Sequence, residues 1–274
     1  MQESYLKING SENMFIHHNK LKPEARTLLF VHGLGDSGLS FEDAFKHNKL
    51  ADRFNIVVPE LIGYGRSSSA ASIERYRFDS HIERLWQLID TFNLQHIILA
   101  GHSMGGDITT LMCQDNRGGR IEKYISIEGD ITQHELFVSS KVVKAESEGN
   151  PESWFYNDFM HKTIFKAMGR QRSGRLYFAS LNYCRLEAVL QNSQELVDRN
   201  TRLEGEFTSE IGQVYLSLDI PRVFCYGTKS LSNETLNFLK QNKMPARAFE
   251  GAGHSLMVDS SDEFYEFVQE FASM

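Results

Sequence analysis

The sequence predicts an α/β chain in which a mostly parallel sheet alternates with helices and is interrupted by a mainly helical insertion. Short apolar runs at 27–31, 55–58, 97–100 and 123–127 are each followed by a loop, and in most cases by a helical pattern. Such alternation places helices across both faces of a parallel sheet. From 131 to 218 the strand rhythm stops and aromatic and polar residues take over, including Trp154, Phe155, Tyr156, Phe159 and Tyr177. It resumes at 221–226 and 246–250. The 274 residues therefore divide into a discontinuous core, 1–130 and 219–274, and an inserted cap, 131–218.

The elements follow in order. Runs 4–8 and 13–18 flank Asn9-Gly10, a pair that tolerates the backbone angles of a hairpin turn. Spacing at 41–50 permits a helix, and the 55–58 strand ends before Pro59. Residues 73–92 read as one long helix with Ile82, Leu85, Leu88 and Ile89 towards one face. The 97–100 strand exits at Gly101 into a helix over 104–113. Within the insertion, 186–196 is the clearest helical stretch. After it, Ser232 and Asn233 open a helix to 241, and 262–271 closes the chain as an amphipathic helix carrying Phe264, Phe267, Val268 and Phe271.

Composition excludes several classes. Hydrophobic residues at 41% and charged residues at 24%, with 5 Pro and 20 Gly, describe an ordered globular chain. The 29 basic against 36 acidic residues give a net charge of -7, which offers no general attraction for nucleic acid or an anionic membrane. Cys113, Cys184 and Cys225 suit a reducing compartment better than a disulfide framework. The first residues lack a secretion-signal pattern, and no apolar run approaches the roughly 20 residues of a membrane span. A cytoplasmic protein without an integral membrane segment is expected. No His, Cys or acidic grouping has metal-ligand spacing, and neither phosphate-binding glycine fingerprint occurs, so no metal and no cofactor is expected. Nothing in the sequence specifies an oligomeric state.

The segment Gly101-His102-Ser103-Met104-Gly105 lies between a buried strand and a helix. There a tight turn projects the serine hydroxyl while small neighbours let backbones approach, which makes Ser103 a nucleophile candidate. The competing reading is a glycine-rich turn whose serine caps the helix. Gly63-Tyr64-Gly65-Arg66-Ser67 is a second tight loop, in which Arg66 and Ser67 are expected to stabilise the loop itself.

With the His32-Gly33-Leu34-Gly35 loop and the late Gly253-His254-Ser255, this elbow resembles the α/β-hydrolase family over nearly the whole chain. The resemblance implies an eight-stranded sheet with a cap inserted after the sixth strand. It also implies Ser103 as nucleophile, His254 as general base and the backbone N–H groups of Leu34 and Met104 as an oxyanion hole, with His32 shaping its loop. The family's usual acid position, in Gly227-Thr228-Lys229-Ser230, carries no carboxylate. Some related hydrolases place the acid after the sixth strand, which corresponds to Glu128, with Asp130 the alternative. The blander readings make Glu128 a solvated strand-end carboxylate and Asp130 a helix cap.

The function implied is cleavage of a small or medium carboxylic ester with an apolar part, through an acyl-enzyme. Trp154, Phe155 and Phe159 are candidate pocket residues, although cap aromatics also serve simply as core. A thioesterase, lactonase or carbon-carbon bond hydrolase would reuse the same residues. The missing carboxylate at Ser230 also keeps a catalytically silent binding protein in contention.

Overall fold

The computed structural model describes every residue except 9 and 206, and the side chain of residue 48 is likewise left undescribed. Asn9 of the expected Asn9-Gly10 turn lies outside the described residues. Eight strands form one sheet: β1 Gln2–Ile8, β2 Glu12–His18, β3 Thr27–Val31, β4 Asn55–Pro59, β5 Ile97–His102, β6 Ile121–Ile127, β7 Arg222–Gly227 and β8 Ala246–Phe249. Their spatial order is β1-β2-β4-β3-β5-β6-β7-β8. β2 pairs antiparallel with both β1 and β4, whereas every pairing from β4 to β8 is parallel.

Burial explains the character of each strand. All residues of β3, β4 and β5 are buried, so these central strands read as unbroken apolar runs. At the edges, β1 and β8 keep exposed positions. Side chains of a strand alternate in direction, and the core divides accordingly. Leu29, Val31, Ile97 and Leu99 join one apolar cluster; Leu28, Phe30, Ile98 and Ala100 join the other.

The helices are α1 Asn48–Arg53, α2 Phe78–Thr91, α3 Met104–Gln114, α4 Ser139–Ser147, α5 Pro151–Ser153, α6 Arg172–Leu181, α7 Leu186–Asn200, α8 Glu210–Ser217, α9 Asn233–Gln241, α10 Leu256–Asp259 and α11 Ser261–Ser273. A wide π-type helix, Trp154–Met168, continues directly from α5. The first cluster lies under α2, α3, α7 and the cap; the second is closed by α11 through Phe264, Tyr265 and Val268. No helix among the described residues is long and apolar enough to cross a membrane.

Two expected helices are interrupted. The 41–50 segment is a tight 3-10 helix, Gly38–Phe45, followed by α1 after an extended His47. The 73–92 segment breaks at Arg77, whose ψ of 157° is extended. Phe78 N–H, left without an intrahelical acceptor by that break, donates to Glu195 Oε2 on α7 at 2.8 Å. A cap supplied from 117 positions away is not written into local periodicity.

Between β6 and β7 every described element is a helix, and these helices form the cap insertion. Its last long helix, α7, is tied to the core by buried hydrogen bonds: Tyr64 to Asn192 at 2.6 Å and Asn200 to Asp107 at 2.9 Å. Because β3, β5, β6, β7 and β8 run parallel, their C-terminal ends converge on one edge of the sheet, beneath this cap. Ligand sites of α/β sheets form at such edges.

Candidate active site

Ser103 follows β5 directly and opens α3 with φ 52° and ψ -127°. Six described non-glycine residues have positive φ, and two of them are Ser103 and Glu128, at 52° and 47°. Strained backbone persists only where the surroundings hold it, so its occurrence at these two candidate positions is informative. Close packing holds the elbow. A Cβ on Gly105 would lie 2.4 Å from Val31 O, and one on Gly101 would lie 2.1 Å from Thr109 Oγ1. Glycine at both positions lets β3, β5 and α3 come together.

The loop after β3 presents Leu34 to the same place. His32 Nδ1 lies 2.9 Å from Gly33 O, and Leu61 N–H donates to His32 Nε2 at 2.9 Å. Nε2 accepts, so the proton sits on Nδ1 and donates to the carbonyl; burial lowers the His32 pKa and favours this neutral ring. His32 thus shapes the loop, as expected. Tyr177 of α6 donates to Leu34 O at 2.9 Å and clasps the loop from the cap side. No loop hydrogen bond among the described residues uses Leu34 N–H. Met104 opens α3, and first-turn N–H groups lack intrahelical acceptors.

Glu128 stands at the end of β6, 3% exposed. Its Oε1 accepts from Gly227 N–H at 2.6 Å and from Ser230 Oγ–H at 2.5 Å. Its Oε2 lies 2.6 Å from His254 Nδ1. Ser230, which occupies the family's usual acid position, therefore donates to a carboxylate arriving from the neighbouring strand. The sequence shows that Ser230 lacks a charge; its role as a donor emerges only when β6 and β7 are paired.

His254 is carried on the loop after β8, where Asp259 Oδ2 accepts Gly253 N–H at 3.1 Å. Half of its side chain, 50%, is exposed, and that face opens into a cavity rather than onto a flat surface. Enclosure by the wall pulls its pKa down, but the hydrogen bond and charge of Glu128 outweigh this, and the net shift is upward from 6.5. His102 packs beside it with ring centroids 4.7 Å apart and its Nε2 3.0 Å from His254 O. Burial, then the adjacent His254, lowers the His102 pKa well below 6.5. His102 is a neutral support.

Asp130 takes a different place. Its backbone N–H donates to Asp107 Oδ1 at 2.9 Å, and its side chain makes no hydrogen bond to His254. Ser103, His254, Ser230, Leu34 and Asp130 all line one cavity of about 580 Å³. Ser103 Oγ and the His254 ring are not hydrogen-bonded in this geometry; such contacts are often long without substrate. Trp154, Phe159, Ile164, Met168 and Leu196 give the cavity apolar walls. Phe155 is not among the lining residues. It is buried behind Phe159, ring centroids 6.1 Å apart, as part of the cap's own core.

A separate cleft of about 670 Å³ is lined by Asp43, Arg172, Asp259 and Glu263 and contains none of the predicted site residues. Its charged walls are already engaged, with Arg172 paired to Asp43 and Glu42. In the Gly63 to Ser67 loop, Ser67 Oγ donates to Glu60 O at 2.5 Å, and Arg66 pairs with Glu3 at 2.8 Å. Both are loop supports, as expected. The three cysteines are unpaired and buried. Among the described residues no group of three or more His, Cys, Asp or Glu has a geometry that would hold a metal ion.

Comparison with known proteins agrees on the fold. An uncharacterized protein of Mycobacterium tuberculosis is 28% identical over 81 residues, 30% of this chain. That alignment spans only 23% of the mycobacterial protein. The protein phosphatase methylesterase 1 of Emericella nidulans is 24% identical, covering 98% of this chain and 73% of the relative. Among solved structures, a bromoperoxidase from Bacillus anthracis superposes with TM-score 0.77 at 19% identity, with 100% of both chains covered. An esterase from Exiguobacterium antarcticum gives TM-score 0.76 at 14% identity, again with 100% of both chains covered. The sequence profile of the alpha/beta hydrolase fold matches residues 26–259. With that match over most of its length, and with the elbow, strand order and cap described above, the chain belongs to the α/β-hydrolase fold family.

Proposed function

We propose that this protein is a carboxylic-ester hydrolase that works through an acyl-enzyme on Ser103. The observation that carries the reading is the 2.6 Å contact between Glu128 Oε2 and His254 Nδ1 at the wall of the cavity that also exposes Ser103. A carboxylate on Nδ1 holds the proton there, which leaves Nε2 free to act as a base. Ser103 attacks the ester carbonyl as Nε2 takes its proton. Charge developing on the carbonyl oxygen is received by Leu34 and Met104 N–H, donors of a kind each worth about 10²–10³ in rate. The His254 imidazolium, stabilised by Glu128, then protonates the departing alcohol. Water enters, gives a proton to Nε2, attacks the acyl carbon and releases the acid with Ser103 restored.

The apolar walls fit a small or medium substrate with an apolar part, and an ester is also the bond that the methylesterase relative's name implies. We divide the chain into the core, 1–130 and 219–274, and the cap, 131–218, whose aromatic side chains would exclude water from the reacting bond. A reducing cytoplasmic setting is consistent with three buried, unpaired cysteines. The test is covalent labelling by a fluorophosphonate, read by intact mass, together with turnover of short-chain nitrophenyl esters. Stoichiometric labelling and turnover are expected, both abolished in Ser103→Ala. A folded wild type that neither labels nor turns over would reject the enzyme reading.

A further inference from the structure

Four carboxyl groups line the cavity: Asp36, Asp130, Glu135 and Asp158. Three of them are already served by the protein. Asp36 accepts from Ser37 N–H at 2.8 Å and from Ser40 Oγ at 2.6 Å. Glu135 accepts from Ser232 Oγ and Thr235 Oγ1, each at 2.5 Å. Asp158, near the rim, pairs with Lys162 at 2.5 Å.

Asp130 is the exception. It is 5% exposed, yet among the described residues its side chain has no donor, and its one hydrogen bond is through its backbone N–H. A buried carboxyl without partners is costly, and its missing donors must come from whatever occupies the cavity. The surroundings specify the sign of that occupant. Burial above all, and then the charges of Asp107, Glu135 and Glu128, drive its pKa well above 3.8, so the side chain holds its proton while no cation is bound. Among the described residues Lys141 is the single Lys or Arg lining the cavity. A neutral donor would satisfy one oxygen of the protonated acid, whereas a cation can take the place of that proton and leave the carboxyl ionised among its acidic neighbours.

We propose that Asp130 forms a subsite for a cationic nitrogen, so that the favoured substrate is an ester bearing an ammonium group on the limb that meets this wall. The assignment rests on the esterase reading of Ser103 and refines its substrate class. The apolar walls hold the rest of the molecule; the ammonium group displaces the Asp130 proton to solvent, and the resulting carboxylate accepts its N–H.

Two isosteric pairs test it: ethyl β-alaninate against ethyl butanoate places the charge on the acyl limb, and dimethylaminoethyl butanoate against isopentyl butanoate places it on the alcohol limb. In at least one pair the cationic member should lead by about tenfold or more in kcat/KM, the scale of one charge-assisted hydrogen bond. Asp130→Asn, with folding checked by its melting temperature, should lower that ratio about tenfold; Asp130→Ser is the second variant. Wild-type ratios near one in both pairs, or a ratio unchanged in both variants, would overturn the subsite and mean that the carboxyl is merely hydrated. Loss of all ester turnover would count against the esterase reading instead. In that event calorimetry of dimethylaminoethyl butanoate on Ser103→Ala decides the subsite: binding abolished by the added Asp130→Asn supports it, and binding that is absent or unchanged overturns it.

Discussion

Two carboxyl groups sit two residues apart at the end of β6 and meet opposite surroundings. Glu128 turns towards β7 and β8 and collects Gly227 N–H, Ser230 Oγ–H and the His254 ring. Asp130 lines the cavity, and its side chain collects no donor from the described residues. Both are buried. The difference lies in the supply of donors, and in the proposed reading it separates a carboxylate that orients a base from a carboxyl left open to a ligand.

The contrast is broken most directly by Glu128→Gln. Replacing the acid of such a triad by its amide disorders the imidazole tautomer, and kcat/KM should fall by about 10³–10⁴-fold. The pH profile sharpens this. His254 must be neutral to act, and its pKa is raised above 6.5 chiefly by Glu128 against the opposing effect of burial. Wild-type kcat/KM should therefore rise with pH through a value above 6.5, and in Glu128→Gln the residual activity should rise at lower pH. An unmoved limb would dissociate Glu128 from the base.

Ser230→Ala removes one hydrogen bond to the Glu128 carboxylate while leaving the charge in place. The expected loss is about tenfold in kcat with little change in KM, since hydrogen bonds to charged groups are worth about 1.5–3 kcal/mol. No loss would mean that Gly227 N–H alone suffices to hold the acid.

The smallest effect belongs to stability. The Asp130 pKa is raised from 3.8 in the fold, so the folded chain holds this proton more tightly than the unfolded chain. Stability from that proton is complete below the unfolded value and is lost as pH rises through the folded one. Asp130→Asn should accordingly melt near the wild type at pH 4 and about 2 °C higher at pH 8, for a gain of about 1 kcal/mol. Thermal denaturation at the two pH values checks the sign; equal melting shifts at both would show that Asp130 carries no such burden.

These residues also mark how far sequence reading reaches. Ser103 and His254 are legible because short motifs encode their local turns, and Glu128 because a carboxylate at the end of an apolar strand has few places to go. Ser230 is recognisable only as a missing charge. Its donated hydrogen bond depends on two strands being neighbours, which no local pattern states. The break at Arg77 escapes notice for the same reason, being capped by Glu195 from another layer. Phe155 shows the remaining limit: Trp154, Phe155 and Phe159 share composition and proximity, and only packing decides that Phe155 faces inward.

His254 and Glu128, the proposed base and acid, are 126 positions apart, with the entire cap insertion between them. A chain synthesised from its N-terminus completes the elbow, the acid and the cap before the loop carrying His254 exists. In the proposed mechanism Ser103 has no base during that interval. On that reading, reactivity is withheld from the nascent polypeptide until the His254 loop after β8 is in place, and an incomplete product carries Ser103 without its proposed base.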